Sequence, residues 1–264
     1  MARNTKRFSP SQLGTFEECP RAYWLGRNHG VAWPRGIFPS LPQGLDLSLK
    51  THYDKYRALG ELPPELVSQV PGKLFADQAK MDRWRNWRTG LEATVAILDA
   101  KGSKIDEVII SGAFDDLIDD GSNIFVFDAK SRGSAPKPGG TERYYSRQAC
   151  CYHYMLEQNG MKPGKKAFFA YYFPSVIREA QHPEAKELGD IKLTMTCEVV
   201  DIDIDPNRVP KLAREAYACL NSPIPEPCNR GCEKCEYMEG RASVGKRLRE
   251  AAKAQEEAKA KAAA

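Results

Sequence analysis

A chain of 264 residues is long enough for one domain with a sizeable core or for two small ones. Its 42% hydrophobic and 28% charged residues are ordinary for a globular protein, and no apolar run approaches the roughly 20 residues that span a bilayer. A net charge of +4 permits nucleic-acid binding without demanding it, so any DNA-binding charge has to be local.

The basic segment 1–8 is followed by no apolar stretch of signal-peptide length, and the chain is expected to be cytoplasmic, with no membrane partner. The first helix is announced by Ser9-Pro10-Ser11-Gln12, where Ser9 caps, Pro10 suits the first turn and Gln12 takes a capping-box position; Pro20 breaks or kinks it. Residues 34–44, rich in Pro and Gly, read as loop, and helices are expected over 45–59 and 75–98. The period then changes. Residues 108–118 and 124–130 are rich in β-branched and aromatic side chains and flank Asp119-Asp120-Gly121-Ser122-Asn123, which is a β-hairpin signal. A loop over 133–140, a helix over 142–159 ended by Gly160, strands over 166–173 and 192–203, and a helix over 209–220 follow. From Gly240 the composition is Ala, Lys, Glu and Arg, a tail that is helical or disordered. This order predicts an α/β (mixed α+β) fold: a central mixed sheet flanked by helices in one domain over 9–239, with an N-terminal helical portion, a basic tail at 1–8 and the 240–264 tail. Gly160-Met-Lys-Pro-Gly164-Lys165-Lys166 has the wrong spacing for a nucleotide-binding P-loop, so no ATP requirement is expected.

The hairpin carries the chemistry. A loop centred on Gly121-Ser122 pairs residues whose numbers sum to 243, which sets Asp115 opposite Asp128 with Cβ atoms roughly 5 Å apart. Lys130 points to the same face, whereas alternation puts Asp116 on the other, and its replacement is expected to be the milder one. Two carboxylates that close repel unless a cation or proton sits between them, and Mg²⁺ or Mn²⁺ with oxygen ligands resolves the repulsion. A hairpin that merely exposes Asp and Lys to water is the bland alternative.

Eight cysteines in a chain of this size, without an export signal, argue for reduced thiols or metal ligation rather than a disulfide framework. Cys228, Cys232 and Cys235 lie close together and Cys19 lies near the other end, while Cys150, Cys151, Cys197 and Cys219 read as small core residues. Four thiolates suit a [4Fe–4S] cluster or a tetrahedral zinc ion, and spacing does not choose between them. Basic and aromatic residues interleave at Met81-Asp-Arg-Trp84-Arg-Asn-Trp87-Arg88 and at Arg143-Tyr144-Tyr145-Ser146-Arg147, which suits single-stranded DNA; the Trp84/Trp87 spacing also suits a core stripe.

Gly112-Ala-Phe-Asp115 followed by Asp128-Ala-Lys130, with Gln148-Ala-Cys-Cys-Tyr152 on the next helix, resembles the PD-(D/E)XK nucleases of the RecB-like branch, which includes the CRISPR-associated exonucleases. The resemblance implies a restriction-endonuclease-like core in which Asp115, Asp128 and Lys130 are catalytic and Gln148 and Tyr152, four apart on one helix face, contact DNA. Arg143 and Arg147 are the accompanying phosphate-binding candidates. The resemblance also implies a helix-borne metal-binding histidine, for which His52 stands at the matching place, beside Asp115 and Asp128 as ligands of Mg²⁺ or Mn²⁺. Ser9-Pro-Ser-Gln-Leu-Gly-Thr-Phe-Glu-Glu-Cys19-Pro20-Arg21 is similar to the opening of the iron–sulfur members, whose other three cysteines cluster near the C-terminus; this favours [4Fe–4S] over zinc at Cys19, Cys228, Cys232 and Cys235. The implied activity is an ATP-independent, metal-dependent exonuclease acting on single-stranded DNA or DNA ends, with a nucleic-acid-processing protein as a further partner. The alternative is a DNA-end-binding or assembly subunit of the same fold, in which cleavage is secondary.

Overall fold

The computed structural model describes residues 6–31, 33–34, 40–175, 194–228 and 231–262. In chain order these form β1 (Arg7–Phe8), α1 (Pro10–Glu18), α2 (Pro20–Trp24), α3 (Ser40–Leu59), β2 (Lys73–Leu74), α4 (Gln78–Arg85), β3 (Leu91–Leu98), β4 (Lys104–Gly112), β5 (Asp116–Asp119), β6 (Ile124–Ser131), α5 (Gly140–Gln158), β7 (Pro163–Pro174), β8 (Met195–Asp203), α6 (Arg208–Leu220) and α7 (Glu233–Ala262). The chain divides into two compact units. The larger comprises Lys6–Ser11 and Gly36–Arg214; the described residues of the smaller come from Gln12–Arg35 and Glu215–Ala264. Among the described residues no helix is long and apolar enough to cross a membrane.

The larger unit holds two mixed sheets flanked by helices, the arrangement of a restriction-endonuclease-like fold. The first has the order β1-β4-β3, with β1 parallel and β3 antiparallel to β4. The second has the order β2-β5-β6-β7-β8, antiparallel except for the parallel β6/β7 pair that α5 connects. The expected single sheet is two because the expected strand over 108–118 is interrupted: β4 ends at Gly112, the chain breaks at 113–115, and β5 starts at Asp116 in the other sheet. α5 packs against strands of both sheets, and α3 packs against β6 and β2. Under α3 lies a core of Tyr53, Leu66, Leu74, Ile118, Phe127, Phe168, Ala170 and Tyr172.

Other boundaries depart from expectation for physical reasons. α3 begins at Ser40, inside the stretch read as loop, because Pro42 falls in its first turn, where a missing N–H is harmless. The expected helix over 75–98 is helical only over Gln78–Arg85, capped by the Asp77 side chain accepting from Lys80 N (2.9 Å). Leu91–Leu98 is a strand in which Leu91, Ala93, Val95 and Ile97 are buried and the alternate positions are not, a period of two that the Leu91/Val95/Leu98 spacing disguised. Arg7 and Phe8, read as tail, form a strand on β4, whereas residues 1–5 of that tail and 192–193 of the expected strand over 192–203 lie outside the described residues. Pro20 ends α1 and opens α2, with Cys19 as its N-cap. The 240–264 tail continues α7 as helix to Ala262.

In the smaller unit, α2 and α7 pack together. Arg21 Nη1 donates to the Pro225 carbonyl at 2.8 Å, Trp24 Nε1 to that of Ser222 at 2.9 Å, and Asn28 Nδ2 to that of Leu220 at 3.1 Å.

Candidate active site and cysteine centre

The hairpin pairs Asp116 with Phe127, Leu117 with Val126, Ile118 with Phe125 and Asp119 with Ile124, each pair summing to 243 as the turn chemistry predicted. Gly121 takes φ +86° at the tip, and Asp120 Oδ1 accepts from Ser122 N and Asn123 N at 2.8 and 2.7 Å. Register therefore puts Phe127 under α3 and Asp128 on the other side, toward α5.

Asp115 lies in the break between β4 and β5, and the break is built tightly. A Cβ on Gly90 would stand 2.2 Å from the Gly112 carbonyl oxygen, and one on Gly112 would press Tyr152 and Met155 of α5 at 3.0 and 3.1 Å. Phe114 N donates to Trp84 O (3.1 Å), and its ring sits 4.7 Å from that of Tyr152. Arg85 Nε donates to the Asp115 carbonyl at 2.8 Å. Asp115 and Asp128 are close enough to interact directly: burial first, then the Asp115 charge, push the Asp128 carboxyl up to about 8 against the pull of Lys130. Asp128 is 1% exposed. Its Oδ1 accepts from Gln148 Nε2 at 3.1 Å, and Gln148 also donates to Tyr152 Oη at 3.0 Å. Its Oδ2 forms an ion pair with the Lys130 ammonium. Lys130 Nζ also lies 4.9 Å over the Tyr145 ring, which stacks on Phe169 at 5.3 Å. Burial pulls the Lys130 ammonium down, and Asp128 and Asp115 more than offset it, leaving it above the ordinary lysine value.

The structure thus brings Asp115, Asp128, Lys130, Gln148 and Tyr152 together. It does not bring His52 to them. His52 Nε2 bonds Glu65 Oε1 at 2.9 Å and its ring lies 5.0 Å from Tyr56, so the expected ligand triad of His52, Asp115 and Asp128 is not assembled. The residue that α3 presents to Asp115 is Lys50, with Nζ 3.0 Å from Oδ1. Lys50 and His52, two apart on the helix, point to nearly opposite sides of it. Arg147 Nε donates to Pro10 O at 3.1 Å, and the Arg143 guanidinium lies 5.5 Å over the exposed Tyr144 ring. Trp84 is core, against Phe75 and Phe114; Trp87, past the end of α4, is 79% exposed beneath the Arg88 guanidinium.

Sequence reasoning missed a charge network behind Asp115. Asp116 is fully buried, and its Oδ2 accepts from Arg57 Nη2 and Arg85 Nη2, both at 2.6 Å. Arg85 Nη1 spans both oxygens of Asp54 at 2.7 and 2.9 Å, and Arg57 Nη1 reaches the Phe75 carbonyl. Burial pushes the Asp116 carboxyl above its ordinary value, and the two guanidiniums only partly offset it. The legible signal was on α3, where Asp46, Lys50, Asp54 and Arg57 recur at helical spacing along one face. Asp116→Ala is expected to cost roughly 3–5 kcal/mol of unfolding free energy, because two buried guanidiniums lose their counter-charge. Urea denaturation checks it, and a loss below about 1 kcal/mol would remove the network from the account.

In the smaller unit the sulfurs of Cys19, Cys228, Cys232 and Cys235 all lie within 4.8 Å of one another. Cys19 Sγ is 3.5 Å from those of Cys228 and Cys235, and accepts from Ala22 N as the α2 cap. Burial pushes the Cys19 thiol up, so four thiolates here require a cation. Among the described residues this is the group of three or more His, Cys, Asp or Glu side chains close enough to share one ion. Cys150 and Cys151 are buried in α5, and Cys197 and Cys219 are half-buried.

No match is found among curated proteins. A solved structure described as "Crystal structure of SSO0001" is similar over 83% of this chain and 78% of its own, with 13% identity and a TM-score of 0.37, a likeness too remote to carry an argument. The model of the PD-(D/E)XK nuclease superfamily matches residues 7–239, which takes in the hairpin, the crowded break and all four clustered cysteines. The chain belongs to the PD-(D/E)XK nuclease superfamily.

Proposed function

We propose that the protein is a metal-dependent deoxyribonuclease of the RecB-like, CRISPR-associated branch, an ATP-independent exonuclease that acts on single-stranded DNA or DNA ends. The observation that carries this reading is the pair of Asp115 and buried Asp128, two carboxylates close enough to repel, with Lys130 paired to Asp128 beside them. Two carboxylates so placed repel each other, and a divalent ion between them removes the repulsion. Asp115 and Asp128 would hold Mg²⁺ or Mn²⁺, hard cations suited to carboxylates. When bound, the ion supplies Lewis acidity at the phosphate and a more acidic water. Lys130, fixed by Asp128 and Tyr145, offers its ammonium to the negative charge that builds on the phosphoryl oxygens as a water oxygen bonds to phosphorus and the ester P–O bond breaks. Gln148 orients Asp128 and lines the approach of the DNA strand, and Tyr152, buried behind it, holds the Gln148 amide in place. Arg143 meets phosphate from the exposed first turn of α5.

The four cysteines are proposed to hold a [4Fe–4S] cluster that staples the smaller unit. A second reading, one tetrahedral zinc ion, is favoured by the sulfur separations of 3.5 Å, close to the roughly 3.8 Å edge that 2.3 Å zinc–sulfur bonds would set.

The test of function is digestion of end-labelled DNA by anaerobically purified protein. Single-stranded DNA is expected to be degraded with Mg²⁺ or Mn²⁺, without ATP, and with EDTA as an abolishing control. Gln148→Ala and Tyr152→Ala are expected to slow cleavage roughly tenfold while metal is retained, and DNA affinity is expected to fall with salt as phosphate contacts release counterions. Tight, salt-sensitive binding with no cleavage under either metal would replace the enzyme by a DNA-end-binding subunit.

A further inference from the structure

Lys50 is absorbed by none of the roles above, yet it occupies the second carboxylate of the site. Its Nζ stands 3.0 Å from Asp115 Oδ1 and 2.8 Å from Asp46 Oδ2, one helical turn earlier on α3. The side chain is 24% exposed and Asp115 25%, so the pair is sheltered from full solvent screening. Each carboxylate of the pair therefore has a lysine of its own, Lys130 on Asp128 and Lys50 on Asp115. The two lysines are mounted differently. Lys130 sits on the central strand β6, with its ammonium held over the Tyr145 ring, whereas Lys50 reaches in from a helix on a tether of one carboxylate.

We propose that Lys50 is an internal counter-cation that holds Asp115 in the metal-free protein and yields it to the divalent ion, so that it sets the protein's metal affinity. An ion shared by Asp115 and Asp128 takes up negative charge that the Lys50 ammonium otherwise neutralises, and the two cations compete for it. Asp46 keeps the displaced ammonium beside the site rather than in solvent, at the helix edge where a DNA phosphate would need a positive partner. A phosphate that engages Lys50 would free Asp115, and by linkage the DNA strand and the metal would then each strengthen the other's binding.

The inference rests on the proposed metal site, and a titration of the full chain separates the two. Mn²⁺ alone is added to protein whose cysteine centre is loaded, and free Mn²⁺ is read by its paramagnetic resonance signal, with no DNA and no turnover. Lys50→Met is expected to bind Mn²⁺ roughly tenfold more tightly than wild type, an ordinary size for coupling between two sites. Lys50→Arg retains the charge and is expected to stay within about threefold of wild type. Should Lys50→Met fail to fold, Lys50→Gln replaces it. Wild type that binds no Mn²⁺ sinks the metal site itself. Wild type that binds, with Lys50→Met binding equally or more weakly, overturns the role of Lys50 and leaves the site standing.

Discussion

Asp128→Asn is expected to lower the rate of DNA cleavage by roughly a thousandfold or more while the folded protein stays at least as stable as wild type. The rate follows from what the carboxylate would do. A metal held at Asp128 contributes several kcal/mol of charge stabilisation in the transition state, and each 1.36 kcal/mol is about tenfold in rate. An amide loses the charge that holds the cation and the partner that fixes Lys130. Stability runs the other way because Asp128 is 1% exposed and its nearest charged neighbours include Asp115, so the metal-free protein bears a desolvation cost and a repulsion that Asn removes. Single-turnover digestion and urea denaturation of the same preparation measure both effects. Wild-type cleavage by Asp128→Asn would end the active-site assignment; lost cleavage with lost stability would reduce Asp128 to a structural residue.

The site was legible where local chemistry decides geometry. The Asp-Asp-Gly-Ser-Asn turn sets the register of β5 on β6 without help from the rest of the fold, and the register in turn separates Asp116 from Asp128. Gln148 and Tyr152 came from the family resemblance, and helix spacing placed the two on one face. What escaped was set by contacts distant in the chain. Asp115 stands not on a strand but in a break, held there by Arg85, 30 residues earlier, and nothing local to residues 108–118 announces that two sheets part at Gly112. His52 looked apt because it lies on the helix that reaches the site, but the rotation of α3 is decided by Tyr53 and Arg57 packing inward on Phe127 and Asp116. That rotation delivers Lys50 to Asp115 and His52 to Glu65. Residues 91–98 show the same limit from the other direction. Alternation of a strand buried on one face was present, yet Leu91, Val95 and Leu98 also satisfy a helical stripe, and only pairing with β4 settles the conflict.

Cys19→Ala is expected to bleach the protein and to unfold its smaller unit, with DNA cleavage lost in proportion to folded protein rather than through a slower chemical step. Cys19 and Cys228 are 209 residues apart, and closing a loop of that length by ligation restrains the unfolded chain by roughly 5 kcal/mol on the chain-entropy estimate. Metal binding then forms part of the folding free energy. Among the described residues, the two distant segments are also joined by three side-chain hydrogen bonds to carbonyls between residues 220 and 225, the Trp33–Tyr237 ring contact at 4.9 Å and the exposed Lys234–Glu18 pair. Each of these is worth on the order of 1 kcal/mol or less. Cys19 also caps α2 through Ala22 N, so its loss frays the helix that carries Arg21 and Trp24 to their partners. Phosphodiester hydrolysis transfers no electron, which is why the centre is assigned to structure and not to the reaction. Cys228→Ala, Cys232→Ala and Cys235→Ala should behave alike, whereas Cys150, Cys151, Cys197 and Cys219 should be replaceable by Ala without loss of colour. Absorbance, metal analysis and thermal unfolding of anaerobic preparations decide the matter. A colourless Cys19→Ala protein as stable as wild type removes the staple, and a wild type carrying one zinc and no iron keeps the staple while replacing the cluster by a single tetrahedral ion.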